Sequence, residues 1–378
     1  MGNLFYFILV AIIAFAFTAV SIPQIVKVAH VKHLFDTPNS RKATKVIVPT
    51  LGGTAIFIGI TLGVTLGGDS YPFTDLKFIF ASLLVTFFAG IKDDLVGISP
   101  YSKLGALGFS IVIIAFFANL KFSYLYGLFG INHLGIVPST ILTFFVGIVI
   151  INAFNLIDGI DGLASSIAIQ IATVMGIWFS LIDAPEYALL AFSLAGSCLA
   201  FFMFNVFGNK NKIFMGDTGS LLIGTMIFVL AIKFNEINAS HAATYAIKSV
   251  PAVLIGFMAY PLFDVLRVFI LRVFVIKHSP FVPDKNHIHH RLLALGLNHI
   301  QATAIIFVAN TFFIIGSLIL QQYLGVLELS LAIFAVALLL STVLELILLI
   351  KKKIEPNDEH QQLFLPRTLI NAVNYKRV

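Results

Sequence analysis

Long apolar runs separated by short polar stretches repeat along the whole chain. A helix needs about 20 apolar residues to cross the hydrocarbon core of a membrane, whereas barrel strands alternate apolar and polar positions over short segments. The alternating pattern is missing here, and the runs therefore predict an all-α integral membrane protein, a polytopic bundle of about eleven transmembrane helices. The predicted spans are 4–29, 51–68, 77–92, 104–120, 138–154, 162–182, 187–207, 219–234, 250–276, 301–320 and 327–350.

Composition supports the membrane class. Hydrophobic residues make up 59% of the chain and charged residues 11%, with a mean hydropathy of +0.99, which lies outside the range of soluble globular domains. The single cysteine, Cys198, lies inside an apolar run, so disulfides and cysteine metal sites are excluded. The first 20 residues lack a basic start and a small-residue cleavage site, which predicts a retained first span rather than a signal peptide.

The distribution of basic residues predicts the orientation, because Lys and Arg collect in cytoplasmic loops. With the N-terminus outside and the C-terminus in the cytoplasm, all but four of the 24 Lys and Arg residues fall on the cytoplasmic side. We therefore predict a transmembrane domain over 1–350 and a basic cytoplasmic tail over 351–378. The formal net charge of +6 fits this topology and attraction to anionic lipid headgroups, and no motif for binding nucleic acid accompanies it.

The same topology places most aspartates at one membrane face. A carboxylate near a membrane is costly unless it has a partner or meets water, so several at one face indicate a shared site. The aspartates predicted at or near the cytoplasmic face are Asp36, Asp93, Asp94, Asp158, Asp161, Asp217, Asp264 and Asp284.

Two of the polar clusters carry half of these acids. In "GIKDDLVGISPYSK" (90–103), Asp93 and Asp94 follow the third span, and such adjacent carboxylates favour a raised pKa or a bound cation. In "NAFNLIDGIDGLA" (152–164), polar residues recur every three positions, which would place them on one face of a helix; they are Asn152, Asn155, Asp158 and Asp161. The alternative for the second cluster is a helix end, with Asp161 capping the sixth span.

The third cluster, "NKNKIFMGDTGS" (209–220), places Asp217 just before the eighth span. Asp217 could simply cap that helix, whose free N–H groups attract anions. If Asp217 instead faces Asp93 and Asp158, their oxygen atoms suit Mg²⁺. Phe214 could stack on a base or anchor the loop in lipid.

The fourth cluster, "PDKNHIHHRLLALG" (283–296), contains three histidines and an arginine, namely His287, His289, His290 and Arg291. Imidazoles and a guanidinium suit phosphate or carboxylate binding. A transition-metal site is an alternative without a supporting Glu-x-x-His pattern, and a solvated loop is another. Asp264 and Arg267, three residues apart in the ninth span, are predicted to pair with each other.

The order of these motifs resembles that of a known family. "DTPNSRK" with "PTLGG", then "KDDLVGI", "NAFNLIDGIDGLA", "FMGDTGSL", "PLFDVLRV" and "HIHHRLL" follow one another between residues 36 and 292. This set resembles the polyprenyl-phosphate N-acetylhexosamine-1-phosphate transferase family, of the glycosyltransferase 4 type. The His-Ile-His-His form and the eleven predicted spans are similar to the WecA/TagO-like branch, whereas the MraY-like branch usually has three consecutive histidines. A departure is "RKAT", with Thr44 where the family commonly has a histidine.

The resemblance implies a reaction and its participants. A sugar 1-phosphate, N-acetylglucosamine 1-phosphate by branch similarity, would pass from a UDP-N-acetylhexosamine to undecaprenyl phosphate, with release of UMP. It implies Mg²⁺, with Mn²⁺ as the alternative, and a bacterial cytoplasmic (inner) membrane. The pathway would be O-antigen, lipopolysaccharide or teichoic acid synthesis, and a homodimer is left open.

The resemblance also implies roles for particular residues. Asp217 would be the principal metal ligand, with Asp158 and Asp161 in the metal–nucleotide region beside Asn155. Asp93, often cast as a base in this family, is expected with Asp94 to shape the metal and lipid-phosphate site instead. The rival functions are MraY-like transfer in peptidoglycan synthesis, an ion-coupled secondary transporter, and a scaffold for other glycan enzymes.

Overall fold

The structure is a computed structural model that describes residues 2–34, 48–67, 75–240, 245–276 and 286–354. These ranges form thirteen α-helices and one two-stranded sheet. The helices are α1 Gly2–Lys32, α2 Gly52–Gly67, α3 Leu76–Val96, α4 Pro100–Val112, α5 Ile136–Ile157, α6 Leu163–Leu181, α7 Pro185–Phe207, α8 Gly216–Ser240, α9 Val250–Phe257, α10 Ala259–Ile270, α11 Ile288–Ala294, α12 His299–Leu320 and α13 Val326–Ile354. Short π-helical segments, Ile113–Phe117 and Leu271–Ile276, continue α4 and α10.

The predicted polytopic, all-α membrane protein is confirmed. Among the described residues, eight helices are long and apolar enough to cross a membrane, and the bent pair α9–α10 makes a ninth. Two of the eleven predicted spans are not among these helices. The second corresponds to α2, which is too short to be counted, and the third to α3, whose last two turns carry Lys92 and the paired aspartates. The N-out orientation and the division at residue 350 stay predictions.

The ninth predicted span, 250–276, is broken rather than continuous. Its two helices, α9 and α10, meet at Met258 with a bend of 81°. Asn310 of α12, which is fully buried, bonds both helix ends: its Oδ1 accepts from the Tyr260 backbone N–H at 3.2 Å and its Nδ2 donates to the Phe257 carbonyl at 3.1 Å. Unsatisfied backbone groups are costly in an apolar interior, so this asparagine makes the break tolerable.

A small β-hairpin lies between α4 and α5 and was not predicted. Its strands, β1 Tyr124–Leu128 and β2 Ile131–His133, pair antiparallel. Glu236 holds the first strand to α8, since its Oε1 accepts from the Ser123 backbone N–H at 2.7 Å. The hairpin therefore lies at the opposite end of α8 from Asp217.

The starts of α2 and α8 are joined through backbone contacts. The Gly52 and Gly53 N–H groups donate to the carbonyls of Phe214 and Met215 at 2.9 and 3.0 Å. A Cβ atom on Gly53 would overlap the backbone nitrogen of Gly219. Two helix starts are thus packed backbone to backbone, which fixes the loop that carries Asp217.

We expect Gly53→Ala to lower the thermal unfolding midpoint of the purified protein in detergent. The added methyl group must displace backbone rather than a flexible side chain, and such overpacking costs about 1–3 kcal/mol. The matched control is Gly105→Ala in α4, where no atom lies within 4 Å of the added Cβ and a helical alanine is favoured. Equal midpoints for the two variants would contradict the close approach.

Candidate active site

The paired aspartates at the end of α3 have different partners. Asp94 holds the beginning of α8: its Oδ1 accepts from the Asp217 backbone N–H at 2.7 Å, and its Oδ2 accepts from the Thr218 N–H at 3.0 Å and the Thr218 hydroxyl at 2.6 Å. The first N–H groups of a helix lack partners within the helix, and a carboxylate there satisfies them. Asp94 therefore caps α8, and the alternative in which Asp217 is merely a cap loses its basis.

Asp93 faces a lysine that sequence reasoning missed. Its Oδ1 accepts from the Ile98 backbone N–H at 2.9 Å, and its Oδ2 lies 3.1 Å from Lys103 Nζ. The same ammonium lies 2.6 Å from Asp217 Oδ1 and 3.2 Å from Asn155 Oδ1. Lys103 thus joins three of the predicted clusters, and its only signal in the sequence was a basic residue in the first turn after the Asp-Asp loop.

The two asparagines of α5 differ in what they contact. The Asn155 side-chain amide donates to Asp217 Oδ1 and to the Ser220 hydroxyl, the latter at 2.9 Å. Asn152 instead donates to the Ile148 carbonyl of its own helix at 2.8 Å. We call the carboxylates that lie near one another at this end of the bundle the acidic cluster; they are Asp93, Asp94, Asp158, Asp161 and Asp217. Asn155 contacts this cluster, whereas the hydrogen bond of Asn152 stays within its own helix.

Asp158 lies just beyond α5, because the helix ends at Ile157. The predicted single helix face therefore does not extend to Asp158 and Asp161, which reach the cluster from a loop. No described residue donates a hydrogen bond to the partly accessible Asp158 carboxylate. Burial raises its pKa well above the usual range, and the neighbouring carboxylates of Asp217, Asp94 and Asp161 raise it further. This carboxylate lacks a positive partner in the described part of the chain.

Asp161 has the positive partners that Asp158 lacks. Its Oδ2 lies 2.7 Å from Lys212 Nζ and 3.3 Å from His299 Nδ1. Burial by itself would raise the pKa of Asp161, but hydrogen bonds from His299 and Lys212 outweigh it and lower the pKa. The residue before α6 is Gly162, with a left-handed φ of 79° and no side-chain cap, so the capping alternative for Asp161 is wrong.

Phe214 lies beside this ion pair. The Lys212 ammonium is 6.0 Å from the centroid of the Phe214 ring, and the side chain is half-buried. Its backbone is fixed at both ends, since its N–H donates to the Pro49 carbonyl at 2.8 Å and its carbonyl accepts from Gly52. The ring is thus presented at the edge of the acidic cluster by a rigid loop.

The histidine motif forms the short helix α11 and the residue before it. His287 Nδ1 lies 2.7 Å from Asp264 Oδ2, and the Ile288 N–H donates to Asp264 Oδ1 at 2.8 Å. The predicted pairing of Asp264 with Arg267 is therefore wrong: Arg267 bonds Glu345 of α13. The spacing of three residues would have allowed Asp264 and Arg267 to pair with each other. Instead, Asp264 bonds His287 and Arg267 bonds Glu345.

His289 connects the histidine motif to the loop of Asp158. It is 1% exposed, and its Nε2 lies so close to Gly159 that a Cβ atom there would overlap it. Its Nδ1 is 3.3 Å from the Tyr260 hydroxyl, and the His290 ring centroid is 4.4 Å away. Burial lowers the pKa of His289 well below its usual range, so the imidazole is neutral near pH 7. A neutral, oriented ring therefore borders the acidic cluster.

Arg291 is buried against the last helix. Its Nη1 lies 2.7 Å from Glu345 Oε2 and its Nη2 lies 3.2 Å from Asn286 Oδ1, and the residue is 4% exposed. These bonds connect α11 to α13. A phosphate would have to compete with Glu345 and Asn286 to bind Arg291 as predicted.

The acidic cluster resembles a site that shares a cation with its substrate. No group of three His, Cys, Asp or Glu side chains in the described ranges is arranged to hold a metal by itself. Mg²⁺ commonly takes only one or two carboxylates and completes its shell with water and phosphate oxygens. Asp158, which has no positive partner among the described residues, and Asp217, whose charge acts on it, supply such a pair. The residues present fit Mg²⁺ in that manner and give no support to a histidine-bound zinc ion.

Several sequence predictions lie outside the described residues. They are Asp36, Asp284, the "RKAT" segment with Thr44, and the tail beyond residue 354.

One family model and several known proteins are similar to this chain. Residues 76–235 match the model of glycosyl transferase family 4. A "probable undecaprenyl-phosphate N-acetylglucosaminyl 1-phosphate transferase" of Bacillus subtilis strain 168 is 32% identical, over 92% of this chain and 94% of that protein. Two proteins named "undecaprenyl-phosphate alpha-N-acetylglucosaminyl 1-phosphate transferase" are 33% identical in Escherichia coli O157:H7 and 34% identical in Salmonella typhi, each over 78% of both chains.

Proposed function

Because the chain belongs to glycosyl transferase family 4, we propose that it transfers N-acetylglucosamine 1-phosphate from UDP-N-acetylglucosamine to undecaprenyl phosphate, releasing UMP. The observation that carries this proposal is the position of Lys103 between Asp93 and Asp217, with Asp94 bonded to the first turn of α8. The carboxylate of Asp158 is near enough to Asp217 and Asp94 for their charges to act on it. Both reactants are anionic, and a cluster of acids with one ammonium can neutralise them only with a metal cation. The product would begin a cell-envelope polysaccharide at the bacterial cytoplasmic membrane.

Mg²⁺ is the proposed cofactor, held by Asp217 and Asp158. When bound, it supplies positive charge that stabilises the diphosphate as the bond to UMP breaks. Asp94 contributes indirectly, since it sets the first turn of α8 and so the position of Asp217. Phosphoryl transfer depends mainly on positioning and electrostatics. The bonds of Asp94 to the first turn of α8 would contribute to the positioning.

The chain's own residues have separate proposed tasks around the phosphates. Lys103 supplies a fixed ammonium, and the buried ring of His289 positions the Asp158 loop through its contact with Gly159. Phe214, on its rigid loop, offers a face for the uracil ring. We favour direct attack of a lipid phosphate oxygen on the β-phosphorus of the UDP-sugar, with UMP leaving, because that oxygen is a competent nucleophile. Two-step transfer through an aspartyl phosphate would instead exchange labelled UMP into UDP-sugar without lipid.

We expect Asp93→Asn to lower transfer to a similar extent at pH 6 and pH 9. The second pKa of a phosphate monoester is about 6, so the lipid phosphate is already mostly a dianion at neutral pH and a base has little to remove. In the structure Asp93 bonds Lys103 and the Ile98 N–H, which suits a shaping role. Initial rates across this pH range are the measurement. Activity lost at pH 6 and regained by pH 9 would instead establish Asp93 as a base.

The experiment that tests the proposed function is UMP release by the purified protein in detergent. The reaction contains Mg²⁺, undecaprenyl phosphate and one UDP-N-acetylhexosamine, and lipid or Mg²⁺ is omitted in turn. Release that needs both supports the proposal. Release only with UDP-MurNAc-pentapeptide would favour the MraY-like alternative, and no release with any donor would favour transport or scaffolding.

A further inference from the structure

The last helix, α13, holds the histidine helix α11 at two points, its middle and its C-terminal end. At the middle of α11, Arg291 bonds the Glu345 carboxylate of α13, which also bonds Arg267 of α10. Asn286 completes this network, since its carbonyl accepts from Arg267 at 2.7 Å and its side-chain oxygen accepts from Arg291 at 3.2 Å. One carboxylate thus ties two arginines from two helices to a third helix.

The C-terminal end of α11 is held by the same face of α13. Lys351 Nζ donates to the Leu295 carbonyl at 3.1 Å, and Leu295 is the C-cap of α11. Between the two polar contacts, Leu348 packs against Ala294 in a small separate cluster of buried side chains. Glu345, Leu348 and Lys351 follow one another at intervals of three positions, on one side of the helix. We name these three residues the α13 clamp.

The charges in the clamp make it sensitive to a single substitution. Arg267 and Arg291 are largely buried and share Glu345, and a buried charge whose partner is removed is strongly destabilised. Neutralising Glu345 would leave two guanidinium groups beside each other, and α11 would shift to separate them. Since His289 lies on α11, its position against Gly159 in the Asp158 loop would shift too.

We propose that Glu345 is a positioning residue that acts on transfer through α11, by holding the histidines against the acidic cluster. This inference rests on the proposed function. It gives a role at the site to α13, a helix that lies outside residues 76–235, the part of the chain matched by the family model. Glu345 acts through other residues and so is separate from the groups that would contact the substrates.

The test compares Glu345→Gln with Glu328→Gln. Both glutamates belong to α13, but Glu328 is in the first turn, about 25 Å away along the helix, and is exposed. We expect Glu345→Gln to lower kcat about tenfold to hundredfold, since small misplacements of positioned groups have effects of this size. In a His289→Ala background, Glu345→Gln should cause no further loss, because residues that act as a unit are not additive. Glu328→Gln should leave kcat unchanged in both backgrounds.

Hydrogen–deuterium exchange of residues 287–295 gives a readout that does not need catalysis. We expect faster exchange there in Glu345→Gln than in the unsubstituted protein or in Glu328→Gln. If Glu345→Gln does not fold, Lys351→Met, which releases only the other end of α11, should show the same two effects more weakly.

The outcomes separate the inference from the proposed function. Faster exchange with an unchanged kcat, or a full additive loss in the His289→Ala background, would overturn the positioning role while transfer itself stands. Unchanged exchange would overturn the clamp. If the unsubstituted protein transfers nothing with any UDP-sugar, the proposed function fails, and the catalytic role of Glu345 fails with it.

Discussion

Asp217→Asn is expected to lower UMP release at least about a thousandfold while the protein remains folded. The substitution preserves size and removes the charge that the proposed cation needs, and a loss of about 4 kcal/mol in stabilisation of the transition state corresponds to that factor. The new amide would also face the Lys103 ammonium and the Asn155 amide, both of which donate to Asp217 Oδ1. Initial rates across a range of Mg²⁺ concentrations are the measurement, and excess Mg²⁺ should not restore them.

Asp183→Asn is the matched control for this prediction. Asp183 lies between α6 and α7 with a φ of 59°, a conformation that asparagine adopts readily. It lies just after the C-terminal end of α6, whereas the acidic cluster lies at the N-terminal end of that helix. Its substitution should leave the rate within about twofold. Asp217→Asn retaining more than a tenth of the rate would mean that Asp217 is not the principal ligand of a required cation.

Hydropathy was sufficient to predict most of the helices, because membrane spans need long apolar runs that are local in sequence. It failed at Met258, where the break in the ninth span depends on Asn310 from another helix. The run also contains Pro261, close after the break, and a proline inside a helical pattern marks a kink or a helix end just before it. Averaged hydropathy does not weigh that signal.

The sequence was sufficient to predict which acids belong to the acidic cluster, but not what each of them contacts. Asp93 and Asp94 are adjacent, yet one bonds Lys103 and the other caps α8. The closest carboxylate to Lys103 is that of Asp217, which is 114 positions away along the chain, so local spacing did not reveal its role. Pairs close in sequence misled in the other direction, as for Asp264 and Arg267, whose true partners lie on α11 and α13.

Lys103→Met should have the second large effect, a loss of about a hundredfold in transfer rate. Methionine keeps the length of the side chain but removes the ammonium that lies 2.6 Å from Asp217 and 3.1 Å from Asp93. Without it, two carboxylates face each other uncompensated, and charge stabilisation of the phosphates weakens by an amount typical of one lost donor. UMP release with saturating lipid and donor is the first measurement.

The same variant makes a distinct prediction for stability. Without divalent cations, its thermal unfolding midpoint should fall below that of the unsubstituted protein, since a largely buried ion pair has lost one partner. Added Mg²⁺ should then raise the midpoint more in Lys103→Met than in the unsubstituted protein. A ligand that binds only the folded state stabilises it more as its affinity increases, and no ammonium now competes with Mg²⁺ for Asp217.

The control for both measurements is Lys233→Met, which removes another largely buried lysine that is paired with a carboxylate. Lys233 Nζ lies 2.9 Å from Asp75, its side chain is 18% exposed against 16% for Lys103, and it lies on α8 about 24 Å from Asp217 along the helix. It should lose stability in a way that Mg²⁺ does not repair. If Mg²⁺ instead raises the two midpoints equally, the ammonium of Lys103 does not share the cluster with a cation, and its contribution to transfer must come from the phosphates alone.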